Sequence, residues 1–282
     1  MNNEADTRHL YDWLSRYNLW LNWWRYRDRD AELTMHKTLR PPADAGYEGA
    51  ATWLYVNDLA LEAARVPEAP RVLDAGCGFG GTMFRWYEKV GGRYDGLTLS
   101  RVQQRVAERV ARKRGIADCR FLLQSYDDPL DGLYDTVVVI EALIHSPDFA
   151  TSFENLWRAV KPGGTMVIVE DVARASAPSD PDFTVIREHW GLADVPDDEA
   201  YARAMDRADL ELIQDDDHSA GYVTQSLEEN ARRERQYRRL HRLLPFAGVR
   251  VVLDAYIGGV ALERLHQNGH FRYRLLAMRK RG

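Results

Sequence analysis

Arg71-Val-Leu-Asp-Ala-Gly-Cys-Gly-Phe-Gly-Gly-Thr82 ends a short apolar strand in a glycine-rich turn and leads directly into a helix. Glycines 76, 78, 80 and 81 let the backbone bend tightly and approach a ligand where a Cβ would clash, and the helix that follows offers free N–H groups at its first turn. The stretch therefore predicts a nucleotide-cofactor loop in an α/β protein. Gly76-x-Gly78-x-x-Gly81 also fits a dinucleotide fingerprint, but such a site wants an acidic residue about 20 positions further on to hold the ribose. Gly96-Leu-Thr-Leu-Ser-Arg-Val-Gln103 stands there instead, and Asp95 lies inside the strand rather than at its carboxyl end. Asp74, closing the first strand, repels a pyrophosphate yet can accept hydrogen bonds, through water or backbone, from a cofactor with a cationic amino-acid end.

Working outward, Cys119 to Pro129 reads as a strand and loop, and Tyr134-Asp-Thr-Val-Val-Val-Ile140 is too continuously apolar for a strand with one wet face, as expected of a buried parallel strand. Lys161-Pro-Gly-Gly164 is expected to turn a helix into the strand Thr165 to Asp171. A helix is expected over 46–64, a loop of turn formers over 174–182, a helix over 197–208, and strands over 210–214 and 271–279. Two helices, about 226–244 and 249–267, lie between those strands, where a simple fold of this order would carry a hairpin or one helix. The expected fold is a Rossmann-like, doubly wound, mostly parallel sheet with helices on both faces. An aromatic helical segment (1–45) precedes the main domain (46–282), whose helical cap, about 175–208 and 226–268, is placed to roof a substrate pocket.

Val-Leu-Asp-x-Gly-Cys-Gly-x-Gly resembles the first motif of the Rossmann-like methyltransferases that use S-adenosylmethionine. Thr98-Leu-Ser-x-x-Gln103 resembles the matching segment of the cyclopropane fatty-acid synthases and other small-molecule C-methyltransferases, and Ile140-Glu-Ala-Leu-Ile-His-Ser-Pro resembles that of the sterol C-methyltransferases and, less closely, the tocopherol and terpenoid enzymes. The resemblance implies S-adenosylmethionine as cofactor, held by Asp74, Gly76, Gly78, Gly80, Thr98, Ser100 and Gln103, with Ser125 and Tyr126 beside the adenine. Ser100 also reads as a helix N-cap. Glu141 and His145 are implied to face the transferred methyl, with His218 as a third candidate base. The cyclopropane synthases carry a Glu immediately before the His of this segment, where Ile144 stands here, so simple methyl addition is the better expectation than ring closure.

Composition fits one such enzyme: 282 residues, 45% hydrophobic and 29% charged. A net charge of −5 argues against a general nucleic-acid binder, no apolar run reaches membrane-span length, and no metal site is expected. With only Cys77 and Cys119, a disulfide framework is improbable and a reducing cytoplasm is the natural setting. Two segments stand apart from the core pattern. Tyr11, Trp13, Tyr17, Trp20, Trp23, Trp24 and Tyr26 crowd one amphipathic stretch, which docks on the core or on a second copy of the chain, while Tyr17, Trp20 and Trp24 are candidate walls of a substrate pocket that would stabilise a cation. Asn230 to Leu243 is a basic helix whose Arg238 and Arg239 are candidates to hold the diphosphate of a prenyl acceptor. The expected reaction is methylation of a small hydrophobic metabolite of secondary metabolism. C-methylation of an alkene in a terpenoid, prenyl or lipid-like acceptor through a carbocation comes first, and O- or N-methylation with a His base is the alternative. A scaffold that kept the fold without the chemistry is disfavoured by the intact glycine loop.

Overall fold

Val72, Leu73 and Ala75 of β1 (Arg71–Ala75) are all buried, which only a strand covered on both faces requires. The computed structural model describes residues 4–29, 32–47 and 49–282. Among these, β1 is flanked by β2 (Arg93–Thr98), β3 (Cys119–Leu123), β4 (Tyr134–Ile140), β5 (Val160–Ala173), β6 (Leu210–Asp217) and β7 (Phe271–Lys280), in the sheet order β3-β2-β1-β4-β5-β7-β6. The first five strands are parallel, and β7 enters antiparallel between β5 and β6. Chain order reverses between β1 and β4, so the crevice for a ligand opens at their carboxyl ends.

The helices are α1 (Glu4–Tyr26), α2 (Tyr55–Ala64), α3 (Gly81–Val90), α4 (Arg101–Arg114), α5 (Phe149–Ala159), α6 (Pro181–Trp190), α7 (Asp198–Met205), α8 (Leu227–Leu243) and α9 (Ala247–Gln267). One sheet face buries Val56, Ala60, Phe84, Trp86, Val106 and Val110 of α2, α3 and α4 against Val72, Val138 and Val167. The other buries Phe153, Leu156 and Trp157 of α5 and Tyr201 of α7 against Leu73, Val137 and Met166. Each such side chain contributes on the order of 1.5–3 kcal/mol by leaving water. A third apolar cluster ties Ile186 of α6 and Ala261, Leu262 and Leu265 of α9 to Ile144 and Phe271.

Three local readings change. The helix expected over 46–64 is a 3₁₀ stretch, Gly49–Leu54, followed by α2. Lys161-Pro-Gly-Gly164 does not end one element and begin another. Val160 pairs with Tyr134 and Thr165 with Thr136, so the intervening residues loop out of one long strand, with Gly163 at φ 79°. Of the cap expected over about 175–208, α6 joins α9, whereas α7 packs on α5 and puts Tyr201 into the core through Phe149, at a ring separation of 4.5 Å. Asp197 caps α7 by accepting from Ala200 N–H, which fixes where that helix begins.

Between α1 and α2 the chain runs as a strap across the carboxyl ends of the strands. Leu39 pairs with Tyr222, Arg40 N–H donates to Gly221 O at 2.7 Å, and Val223 N–H donates to Thr38 O at 3.3 Å. Asn22, buried on α1, donates to Arg29 O and Glu32 O and folds the strap's entrance back against the helix.

Candidate active site

A cavity of about 500 Å³ occupies the predicted crevice, floored by β1, β2 and β4 and roofed by α1, the strap and α9. Its floor is backbone. Gly76, at φ 91°, packs so close to Ala142 that a Cβ would stand 2.5 Å from that methyl, whereas Gly78, at φ 54°, faces open space. Gly81 lies under the strap, its missing Cβ 2.8 Å from Leu33 O. Asp74 is 2% exposed, its Oδ2 has no partner among the described residues, and burial pushes its carboxyl up to about 7. Thr98 Oγ1 donates to Gln103 Oε1 at 2.6 Å and accepts from Ser100 N–H, while Gln103 Nε2 rests on Met35 Sδ at 3.3 Å. Ser100 caps α4 by accepting from Gln103 N–H and donates to Asp12 Oδ1 of α1 at 2.5 Å. Ser125 donates to Asp127, and the Tyr126 hydroxyl is spent on Ala142 O at 2.6 Å, which leaves its ring to face the cavity. A buried carboxylate oxygen without a donor among the described residues, near the open space above Gly78, fits a ligand that brings donors and positive charge.

The opposite end is made of side chains. Glu141 stands at φ 50°, a left-handed conformation that costs a non-glycine residue roughly 1–3 kcal/mol and persists where surroundings over-determine it. Its carboxylate accepts from Lys37 N–H (2.8 Å), Lys37 Nζ (3.0 Å) and the Tyr273 hydroxyl (2.8 Å). Lys37 Nζ also bonds Asp171, whose other oxygen meets His266 Nε2 at 2.7 Å. Burial opposes the Lys37 charge, but Asp171 and Glu141 outweigh it and hold the ammonium well above its usual range; burial likewise opposes the Asp171 charge, and Lys37 with His266 outweighs it. His145 sits edge-on to Tyr11 with ring centres 5.4 Å apart, near Trp190 at 5.7 Å. Burial, helped by Lys37, lowers His145 to about 4, and its Nδ1 has no partner among the described residues. Below this loop, buried Glu170 accepts from Leu143 N–H (2.7 Å) and Ile144 N–H (3.3 Å), fixing the 3₁₀ turn Leu143–His145 that presents the imidazole. Tyr11, Trp190, Tyr222 and Tyr256 complete an aromatic wall, and Arg233 lines it while paired with Glu263 at 3.1 Å.

The mycolic acid cyclopropane synthetase family matches residues 51–185, from just before α2 to within α6. Tocopherol O-methyltransferase of Arabidopsis thaliana is 36% identical over 102 residues, 35% of this chain and 29% of that protein. Over this region, which carries β1 to β5, the chain is similar to methyltransferases. Two solved structures share the fold over nearly their whole length: the cyclopropane synthase MmaA2 from Mycobacterium tuberculosis (TM-score 0.74, 16% identity, covering 99% of this chain and 98% of that one) and a geranyl diphosphate methyltransferase in complex with GPP and sinefungin (TM-score 0.73, 18% identity, 99% of each). The matches to the first curated relatives span about a third of those proteins' length.

Asp74, Gly76, Gly78, Thr98, Ser100, Gln103, Ser125 and Tyr126, the residues expected to hold S-adenosylmethionine, all line the cavity. Gly80 does not. At φ 83° it caps α3 with its Cα face against Phe121 and Phe84, so Gly81 takes its place at the cavity. Glu141 and His145 meet at the far end as expected, but Glu141 arrives already holding three donors. His218 is not on the cavity wall. It begins the turn after β6, with its backbone N–H on Tyr273 O and its Nε2 buried. Tyr17 stacks on Trp20 outside the cavity, and Trp20 and Trp24 are 53% and 59% exposed, because α1 turns Thr7, Leu10, Tyr11, Leu14 and Asn18 inward. Arg238 pairs with Glu234 along α8 and Arg239 is exposed; Arg233 is the arginine of that helix that reaches the cavity. The sequence reading missed Lys37, Asp171, Tyr222 and Tyr273, none of which belongs to a local motif, and it noted Tyr11 in the aromatic stretch without assigning it to the cavity. Asp171 ended a predicted strand at the crevice, and that was the one signal available for it. No helix among the described residues is long and apolar enough to cross a membrane.

Proposed function

We propose that the protein is an S-adenosylmethionine-dependent methyltransferase, that it methylates a small, uncharged, apolar acceptor bound beneath α1 and α9, and that the methylated atom is an alkene carbon of a terpenoid, prenyl or lipid-like molecule. The cofactor supplies an electrophilic methyl on a sulfonium. The observation that carries the reading is His145: buried against Tyr11 and Trp190, neutral down to about pH 4, with Nδ1 unpartnered among the described residues. So weak a base takes a proton readily from a carbon beside a carbocation but poorly from a phenol or an ammonium, whose protons are far less acidic. The rings of Tyr11, Tyr222 and Tyr256 line the space where such a charge would develop, and each aromatic face stabilises a cation by on the order of 1 kcal/mol or more once water is excluded.

Uncharged acceptors are favoured because, among the described residues lining the cavity, Lys37 is held by Glu141 and Asp171 and Arg233 by Glu263. A diphosphate would have to break one of these pairs. Incubation with carbon-13 methyl-labelled cofactor and matched alkene, phenol and amine acceptors tests the reading, because NMR locates the label. Label on carbon, with a prenyl alcohol preferred over its diphosphate, is expected. Label on oxygen or nitrogen overturns the alkene reading, and a tenfold preference for the diphosphate overturns the uncharged one.

A further inference from the structure

Two conspicuous segments lie largely outside the cavity: the outer end of α1, and the basic helix α8, which touches it through Arg233. From Trp23 to Arg29 every residue is exposed, and the run alternates rings with guanidinium groups: Trp-Trp-Arg-Tyr-Arg-Asp-Arg. Trp20, Trp23, Trp24 and Tyr26 are 53, 44, 59 and 42% exposed, a concentration of large apolar surface that a water-facing helix end does not otherwise carry. The segment is not loose. Asn22 pins the chain beyond it by donating to Arg29 O and Glu32 O, Arg27 lies 4.9 Å above the Trp23 ring, and Tyr26 meets Trp53. On the other side of α9, which packs on both α1 and α8, α8 carries six arginines against three glutamates, and the residues around the α8–α9 turn expose Leu243, Phe246 and Val249. Trp13, midway along α1, packs on Gly248 at the start of α9, which ties α1 to the cap next to that turn.

We infer that this face of the cap is a docking surface for an anionic phospholipid membrane. Tryptophan and tyrosine rings favour the headgroup level of a bilayer, and arginines among them pair with lipid phosphates. The charge distribution chooses the occupant. The chain as a whole carries −5, yet this face is basic, so it is attracted to an anionic surface while the rest of the molecule is repelled and stays in water. A two-fold contact between copies would set arginines of one α1 against those of the other, which disfavours self-association through the same face. The opposite side of the docked helix contributes Thr7, Leu10, Tyr11 and Leu14 to the cavity wall, so a membrane-bound molecule would present its roof to the lipid.

The test uses the full chain with vesicles of phosphatidylcholine alone and of phosphatidylcholine with phosphatidylglycerol. Expected are co-sedimentation with the anionic vesicles only, weakening as salt rises, and quenching of tryptophan emission by brominated lipid. Trp20→Ala with Trp24→Ala should lower the partition coefficient at least tenfold, and Arg25→Glu with Arg29→Glu should abolish the preference for phosphatidylglycerol, while both variants keep the parent's thermal midpoint and cofactor affinity. Absence of binding at millimolar anionic lipid, or binding without bromine quenching, overturns the inference. So does a tryptophan variant that binds lipid like the parent, or one that converts a dimer to a monomer in the absence of lipid, which would make a second copy the occupant.

Discussion

The two ends of the cavity are built on different principles. At the β1–β2 end the walls are backbone and short polar side chains within one stretch of sequence, 74–103, and the charge is left open: the buried Asp74 has an Oδ2 without a partner among the described residues. At the far end the walls are long side chains from α1, the strap, β4, β5, the 3₁₀ turn after β6, and α9, and every charge is closed on another, Lys37 on Glu141 and Asp171, Asp171 on His266. An open charge costs stability until a ligand satisfies it, whereas a closed network holds its shape with or without one. The first end is thus made to bind, and the second to hold a form around an apolar guest.

The sharpest way to break this comparison is Gly78→Val. Gly78 has φ 54° and faces open cavity, so the branched side chain meets backbone strain and fills ligand space. Cofactor affinity measured by calorimetry should fall by roughly a hundredfold or more, with stability lowered by about 1–2 kcal/mol; a folded variant that binds like the parent would show that the floor of the cavity has been misread.

Glu141→Gln attacks the closed end. Exchanging a carboxylate oxygen for an amide leaves the Lys37 ammonium half paired, and turnover should drop by about a hundredfold while cofactor affinity stays within a few-fold, the pattern of an interaction needed beyond ground-state binding. Lys37→Met should do the same, and the double variant should be no worse than either alone. Additive losses in kcat would mean that the two residues act separately and that the network is not a unit.

A subtler contrast is pH dependence at Asp74. Burial raises its carboxyl to about 7, so its contribution to stability is present below the ordinary carboxylate range near 4 and is lost as pH rises through 7. Asp74→Asn should therefore stabilise the ligand-free protein at pH 8, by about 2–4 kcal/mol at most, and leave it unchanged at pH 4, in thermal melts. The parent's cofactor affinity should rise between pH 6 and 8 as Asp74 ionises, and the same substitution should remove that rise and weaken the cofactor at pH 8. His145 works in the other direction: its contribution is present above pH 6.5 and lost as pH falls toward 4, so the two are separable on the pH axis. Arg238→Ala with Arg239→Ala, both outside the cavity, should change kcat/KM by less than twofold with any acceptor; a large loss would bring α8 back to the acceptor.

The same division decides what the sequence could reveal. The first end was legible because its parts follow one another: the strand, the glycine turn, the Ser100 cap and Gln103 are fixed by local geometry, and only Gly80 was misplaced, since strict spacing cannot tell which glycine faces the ligand and which faces Phe121. The doubly wound sheet was legible for the same reason, from apolar runs and turn formers. At the far end Glu141 and His145 showed through the strand that carries them, but Lys37 and Tyr273, which grip Glu141, come from opposite ends of the chain and leave no mark in local pattern. The tryptophans misled in an instructive way. Helical periodicity puts Tyr11 and Leu14 on one side of α1 and Trp20 and Trp24 on another, but which side meets the core is decided by α9 and the strap.

The strap's pairing with the turn after β6, Leu39 against Tyr222 and Arg40 on Gly221, also bears on how the molecule comes into being. Domains fold as the chain emerges from the ribosome, early residues first. Here β1 to β5 can assemble early, but the strap has no edge to join until residues 221–223 appear, and Glu141, which holds Lys37, lacks its third donor until Tyr273 has been made. The cavity's roof is among the first segments made and among the last to settle, and a nascent chain short of β7 carries the cofactor floor without a lid.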